Sequence, residues 1–218
     1  SVTYPEALMG GGTATEQGSA TPMTSGLVGY WPLDENILTS AYDLGTSTNT
    51  GTLTNTPTWQ SGANCKFGNC LDFASASSQY VSIANNAVLF PASAMTISAW
   101  INAATPSGQV FVYDSTNGVC GGNRLTLDNV NAVRFAMYND SCTFYQGASA
   151  NNAVTANVWN HIVGTWSSDT ITIYVNGVAS GSTSSTTGTL GDSGQPETIA
   201  KYGGTYFTRC GALHAIYR

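Results

Sequence analysis

The stretch Trp159 to Val178, WNHIVGTWSSDTITIYVNGV, narrows the possible folds more than any other part of the chain. Trp159, His161, Val163 and Thr165 alternate with Asn160, Ile162, Gly164 and Trp166. After Ser167-Ser168-Asp169, the residues Ile171, Ile173 and Val175 alternate with Thr170, Thr172, Tyr174 and Asn176. Period-two alternation of β-branched and aromatic residues predicts strands, with the polar triplet as their turn. Asn176-Gly177 predicts a second tight turn, because a type I′ hairpin needs positive φ at both central positions. The stretch therefore reads as a three-strand antiparallel meander.

Short strand-like runs continue on both sides of it. They are Leu27 to Leu33, Thr50 to Leu53, Leu71 to Ala74, Tyr80 to Ile83, Met95 to Asn102, Gln109 to Asp114, Arg124 to Asp128, Asn131 to Tyr138, Thr143 to Gly147, Thr198 to Tyr202 and Gly211 to Tyr217. Amphipathic helical periodicity is absent. Many short strands at this spacing predict a sandwich or barrel, and 218 residues fit one such domain with a tail. Residues 1–26 form a separate zone. Ser1 to Leu8 alternates weakly through Val2 and Tyr4, and Met9 to Ser25 is rich in Gly, Thr, Ser and Ala, which reads as a linker. The arm, with Val2, Tyr4 and Leu8 as its apolar positions, is expected to add as a strand to a sheet edge of another copy. The alternative is irregular coil along its own domain. The start at Ser1 without an apolar leader leads to the expectation of a processed product.

Four segments resemble one family. Trp-x-His-x-x-x-Thr followed by a strand ending Tyr-Val-Asn-Gly is similar to the meander of laminin-G-like domains, in the concanavalin-A-like lectin and glucanase group. Gly26 to Asn36 (GLVGYWPLDEN), Phe67 to Ile83 (FGNCLDFASASSQYVSI) and Met95 to Asn102 (MTISAWIN) are similar to the same family, in its order. The resemblance runs from about residue 26 to 217. It implies an all-β, two-sheet antiparallel jelly-roll sandwich over 27–218, with the first strand paired to the last. It also implies a non-catalytic extracellular or cell-surface module that binds a glycan or a surface protein. The second reading is a structural subunit of a surface filament or other assembly, joined to its own copies through the arm.

Charge sets further limits. Only 8% of residues are charged, against about 25% in typical domains. With six basic residues and a net charge of −6, the chain lacks the clustered Lys and Arg that nucleic acid requires. No apolar run reaches the ~18 residues of a membrane-spanning helix. A glycosidase needs two carboxylates facing one bond. The four glutamates Glu6, Glu16, Glu35 and Glu197 have no acid two or four positions away on a strand, and Asp34 and Glu35 would face opposite sides. A Gly-x-Ser-x-Gly nucleophile turn is missing as well. No catalytic residue is therefore assigned, and His161 is expected to be a packed histidine with a backbone partner.

Calcium is the candidate cofactor, with Asp34, Asp43 and Asn49 as candidate oxygen ligands; the alternative is that the two aspartates cap turns. The family's second acidic loop, Phe-Asp-Gly-x-x-Asp-Tyr, here runs from Phe73 to Tyr80 without either acid. Candidate sugar-stacking rings are Trp59, Tyr113, Tyr138, Tyr145, Tyr202 and Tyr206, set against the usual burial of aromatics in a sandwich. Asn139-Asp140-Ser141 is the one N-glycosylation sequon. The Ser180 to Thr189 tract reads as an exposed loop.

The cysteines are Cys65, Cys70, Cys120, Cys142 and Cys210, with no Cys-x-x-Cys pair, which favours disulfides outside the cytosol over zinc; the alternative is a set of buried free thiols. A hairpin turning near Asn129-Val130 places opposite residues at position sums of about 259–260. Cys120 then lies across from Asn139 or Asp140, within disulfide reach of Cys142. Cys65 and Cys70 can close their own loop, which leaves Cys210 free or intermolecular. Peptide mass spectrometry without reduction is expected to find Cys65–Cys70 and Cys120–Cys142. A bridge from Cys210 to Cys120 or Cys142 would contradict the hairpin register.

Overall fold

A computed structural model describes residues 25–36, 39–105, 110–116, 120–167, 169–183, 186–202 and 205–217, with the backbone alone at 110, 111, 202 and 209–217. In chain order the strands are β1 (Leu27–Trp31), β2 (Ser40–Ala41), β3 (Gly51–Thr54), β4 (Thr58–Ser61), β5 (Asn69–Phe73), β6 (Tyr80–Ile83), β7 (Ala94–Asn102), β8 (Val110–Asp114) and β9 (Asn123–Leu127). They continue as β10 (Val133–Tyr138), β11 (Phe144–Ala148), β12 (Trp159–Ser167), β13 (Thr170–Val175), β14 (Val178–Thr183), β15 (Glu197–Ile199), β16 (Lys201–Tyr202), β17 (Thr205–Tyr206) and β18 (Arg209–Tyr217). Helix among the described residues is limited to single 3-10 turns at 62–64, 75–77 and 87–89.

Two antiparallel eight-stranded sheets make the sandwich. The first runs β14-β13-β12-β7-β18-β5-β4, with β1 also paired to β18; the second runs β11-β10-β9-β8-β15-β6-β3-β2. The expected meander is β12, β13 and β14. Its second turn has φ of +51° at Asn176 and +81° at Gly177, both in the left-handed region a type I′ turn requires. The Asn176 side chain ties the turn back to β12, accepting from the His161 N–H at 2.9 Å and donating to Asn160 Oδ1. The first strand meets the last, with Leu27 opposite Tyr217.

The short strands β2 and β17 match none of the expected runs, and two larger differences stand beside them. β4 was not expected from the pattern, because its apolar content is the single Trp59, half-buried against the core. The Ser180 to Thr189 tract is not one exposed loop. Its first part is the edge strand β14, Thr186 is buried and accepts from the Trp166 indole N–H at 3.0 Å, and Leu190 is buried. Val2, Tyr4 and Leu8, with the rest of the arm, lie outside the described residues.

The core lies between the inner faces. Ile97, Ala99, Ile101, Ile162, Trp166, Ile171 and Ile173 of the first sheet meet Val81, Ile83, Tyr113, Leu125, Leu127, Val133 and Phe135 of the second. Burying each large apolar side chain contributes roughly 1.5–3 kcal/mol. The sheets approach closely where one supplies a glycine. A Cβ on Gly164 would lie 2.5 Å from Phe135 Cγ, and one on Gly147 would lie 2.6 Å from Ile171 Cγ2. Gly164→Ala is therefore expected to cost about 1–3 kcal/mol by forcing Phe135 off its position. Urea unfolding tests this; an unchanged midpoint would show that the sheets can part without penalty.

Candidate functional site

The register of the second sheet aligns one row of side chains on its outer face. Gln146 pairs with Ala136, Ala136 with Arg124, Arg124 with Asp114, Asp114 with Thr198, Thr198 with Ser82, Ser82 with Thr52, and Thr52 with Ser40. In-register antiparallel partners project to the same side, so seven polar side chains and one alanine cross the sheet side by side. Aromatic rings and cations flank this polar floor. At one end Tyr138 pairs with Phe144, their rings 5.0 Å apart, and the Arg124 guanidinium lies 5.1 Å from the Phe144 ring centre. Phe144 is 40% exposed. Towards the other end Lys201 Nζ stands 4.0 Å above the Tyr80 ring, and Tyr206 lies 6.1 Å from Tyr80.

Packing sets the chemistry of the floor. Residues 200–202 and 205–207 fold against β8, with the Ala200 N–H donating to the Val112 carbonyl and the Phe207 N–H to the Ala200 carbonyl. Asp114, on the same strand, is buried. Burial raises its carboxyl from 3.8 to about 7, against the pull of the Thr116 hydroxyl at 2.9 Å, the Thr116 N–H and the Arg124 charge. At the β9–β10 hairpin Asp128 is held below the usual carboxylate range despite some desolvation. N–H donors of Ala132 and Val130 and the Arg134 guanidinium outweigh it.

A second acid, Glu197, is buried one residue before Thr198. Because Thr198 shares the outer face with Asp114, Glu197 faces inward. Burial and the nearby Asp192 charge raise it to about 8, while the N–H groups of Glu197 and Asn86 pull the other way without forming a hydrogen bond. The two buried carboxyls are thus on opposite faces of one sheet and cannot flank a single glycosidic bond. Glu35 stands elsewhere, accepting the Tyr42 N–H at 2.6 Å, with burial raising its pKa.

The candidates from the sequence have different fates. Tyr138 and Tyr206 are on the outer face described above. Tyr113 is fully buried, and Tyr145 packs against the core with its hydroxyl 2.7 Å from Thr187 Oγ1. Trp59 is a core contact, and the Tyr202 side chain lies outside the described residues. Arg124 and Phe144 were missed, because neither shows its role until the register is known.

His161 does not bond a backbone group through its ring. Its Nε2 is 2.8 Å from Ser98 Oγ, its ring stacks 4.9 Å from Trp100, and burial lowers its pKa. Both residues sit mid-strand in the β7–β12 ladder, where backbone N–H groups pair between strands and are not grouped to hold an oxyanion. Trp100 is already covered, with Phe67 edge-on at 5.8 Å and Lys66 Nζ 4.3 Å above the ring; Trp159 packs on the Cys65–Cys70 disulfide loop. The Cys120–Cys142 disulfide joins the open end of the β9–β10 hairpin, whose pairs sum to 260, as the register requires.

The residues Asp34, Asp43 and Asn49 do not fit calcium. Asp43 Oδ1 accepts the N–H groups of Tyr30 (2.8 Å) and Gly45 (2.7 Å), and Oδ2 accepts from Asn49 N (2.7 Å) and Nδ2 (3.3 Å). Those hydrogens occupy the positions a cation would take, and exposed Asp34 is not among the partners. Among the described residues no three His, Cys, Asp or Glu side chains gather. Asn139 is likewise not an accessible glycan acceptor. It is buried, its Nδ2 donates to the Thr187 carbonyl at 2.8 Å, and its Oδ1 accepts from the N–H groups of Ser141 and Thr143. The Cys210 side chain lies outside the described residues; its backbone pairs with Asp72.

Two packed antiparallel sheets with a polar, aromatic-flanked outer face define a lectin-like jelly roll. The family model for concanavalin A-like lectin/glucanases of the laminin G type matches residues 75–214, more than half of the chain, and the chain belongs to that family. No curated protein matches by sequence. Among solved structures, domain 4 of the extracellular arabinanase AbnA of Geobacillus stearothermophilus, in complex with arabinotriose, aligns with TM-score 0.66 at 14% identity, covering 88% of this chain and 92% of that one. The binding domain of Paraclostridial Mosquitocidal Protein 1 aligns with TM-score 0.68 at 15% identity over 88% of this chain. The binding domain of botulinum neurotoxin DC, in complex with SialylT, aligns with TM-score 0.62 at 13% identity over 89%. The chain spans about half the length of the two toxin chains, 48% in each case. No described helix is long and apolar enough to cross a membrane.

The raised Asp114 pKa has a consequence for stability. The folded chain keeps a proton that the unfolded chain releases near 3.8. This contribution to stability is full below about pH 4, declines as pH rises to about 7, and is level above. Asp114→Asn is expected to flatten that decline in melting temperature measured between pH 4 and 8. Identical pH profiles for variant and wild type would count against a buried, proton-holding Asp114.

Proposed function

We propose that the domain is a non-catalytic glycan-binding module that works outside the cell. The observation that carries this reading is the outer face of the second sheet, where half-buried Arg124, Thr198 and Ser82, with Asp114 buried beside them, lie between the Tyr138–Phe144 and Tyr80–Tyr206 ring pairs. Sugars present hydroxyls at their rim and C–H groups on their faces, so hydrogen-bonding side chains beside rings suit both. The glycan-bound state of the arabinanase domain and of the neurotoxin binding domain supports the same class of ligand. Two disulfides support an oxidising location. The absence of catalysis rests on the opposite-face placement of Asp114 and Glu197.

A second reading, assembly into a surface structure, draws support from the other sheet. The cross-strand partners Thr96, Ser98, Trp100, His161, Val163, Thr165, Thr172 and Tyr174 on its outer face are themselves uncharged, with Lys66 standing over Trp100, and low charge eases burial against another copy. Light scattering on purified protein separates the two readings. A monomer with glycan affinity supports the first, and an ordered oligomer without it supports the second.

A glycan array followed by calorimetry tests the leading reading. Phe144→Ala and Arg124→Gln are each expected to weaken the best ligand roughly tenfold, about 1.4 kcal/mol, with no release of reducing sugar by any form. Full affinity in both variants would remove the site from the outer face of the second sheet.

A further inference from the structure

The inner face of the same sheet carries a second row that the glycan reading does not use. Glu197 pairs with Ile83 on β6 and, by the register that sets Thr198 opposite Asp114, lies across from Ser115. Ser115 lies across from Asn123, donating its N–H to the Asn123 carbonyl at 3.0 Å while its Oγ accepts the Asn123 N–H at 2.9 Å. Tyr113 is two residues before Ser115 on the same face; burial first, then the Glu197 and Asp114 charges, raise its hydroxyl's pKa against the pull of the Ser115 side chain. Neighbouring strands are about 4.8 Å apart, so Glu197, Ser115 and Asn123 are adjacent.

All four side chains are fully buried among mostly apolar neighbours. Both Glu197 oxygens, the Tyr113 hydroxyl and both ends of the Asn123 amide have no hydrogen-bond partner. Native structures rarely leave buried polar atoms unmet, and five on three adjacent side chains mark a place where something binds. Four of the five are oxygens; Ser115 Oγ beside them is already bonded, accepting the Asn123 N–H and donating to the Asn123 carbonyl at 3.1 Å, and has one lone pair left. The charged group that acts on Glu197 is another acid, Asp192.

The segments above the row are closely packed. Gly122 donates to the Gly191 carbonyl at 2.7 Å, and Asp192 Oδ1 accepts from Asn85 Nδ2 and the Gly194 N–H. Gly121 and Gly122 have φ of +74° and +84°, and a Cβ on either would collide with the backbone of Asp192 or Ser115.

We propose that Glu197, Asn123, Tyr113 and Ser115 form a buried site for a hard cation of the calcium class, with water completing the set of six to eight oxygens such an ion takes. It is separate from Asp43, whose carboxylate is filled by N–H donors. Three of its four groups are an amide and two hydroxyls, and Glu197 is the one acid among them.

The test is thermal unfolding of the full chain, stripped with EDTA and then titrated with CaCl2. A cation that binds only the folded state should raise the melting temperature by several degrees, increasing with calcium concentration. Glu197→Gln keeps the shape of the side chain and should fold but lose that rise, and Asn123→Ala should shrink it. Asp43→Asn, whatever its own stability, should keep it. The proposal is overturned if calcium at millimolar concentration leaves the wild-type melting temperature unchanged, or if Glu197→Gln responds as the wild type does.

Discussion

The contact between the two inner faces is the interaction on which the rest of the structure depends. Each sheet alone would expose a row of Ile, Val, Leu and Phe, and neither could hold its outer face flat and in register. Interlocking makes the contact specific. Gly164 leaves room for Phe135, and Gly147 leaves room for Ile171, so the sheets fit at particular positions. Strand alternation then fixes which residues point outward, and antiparallel pairing fixes which of them are neighbours. The polar row on the second sheet follows from core packing, because a one-residue slip of β9 would turn Arg124 inward and Leu125 outward.

The same constraint separates the acids. Asp114 and Glu197 lie on adjoining strands, and both have raised pKa values for the same first reason, burial. Their side chains leave the sheet in opposite directions. One belongs to a face with hydrogen-bonding groups and rings; the other belongs to an inner row of unmet oxygens. Hydrolysis of a glycosidic bond needs two carboxylates facing it from one side, and strand parity holds these two apart.

The meander, the hairpin pairing and both disulfides were legible in the sequence because each depends on local pattern. Alternation gave β12 and β13, Asn-Gly gave the turn, and the position sum near 260 put Cys120 beside Cys142. The polar row was not legible as a unit. It joins residues from β2 to β15, and only the order of strands in the sheet brings Gln146, Arg124 and Asp114 together. Tyr113 looked like a ring available to a ligand, although its parity with Leu125 puts it in the core. Asp43 looked like a metal ligand because a lone loop aspartate has the right chemistry for one. Its four hydrogen bonds come from Tyr30, Gly45 and Asn49, and the first is thirteen residues away. Asn139 matched a sequon, yet its amide is used to hold the Thr187 and Thr143 segments together.

The central claim is that ligand meets the outer face of the second sheet. Amide chemical-shift mapping with an isotopically labelled chain and the best glycan from the array addresses it most directly. The account predicts that shifts concentrate on Arg124, Tyr138, Phe144, Gln146 and the neighbouring Asp114–Thr198 pair, with little change across β7, β12 and β13. Shifts concentrated instead around Trp100, His161 and Tyr174 would contradict it.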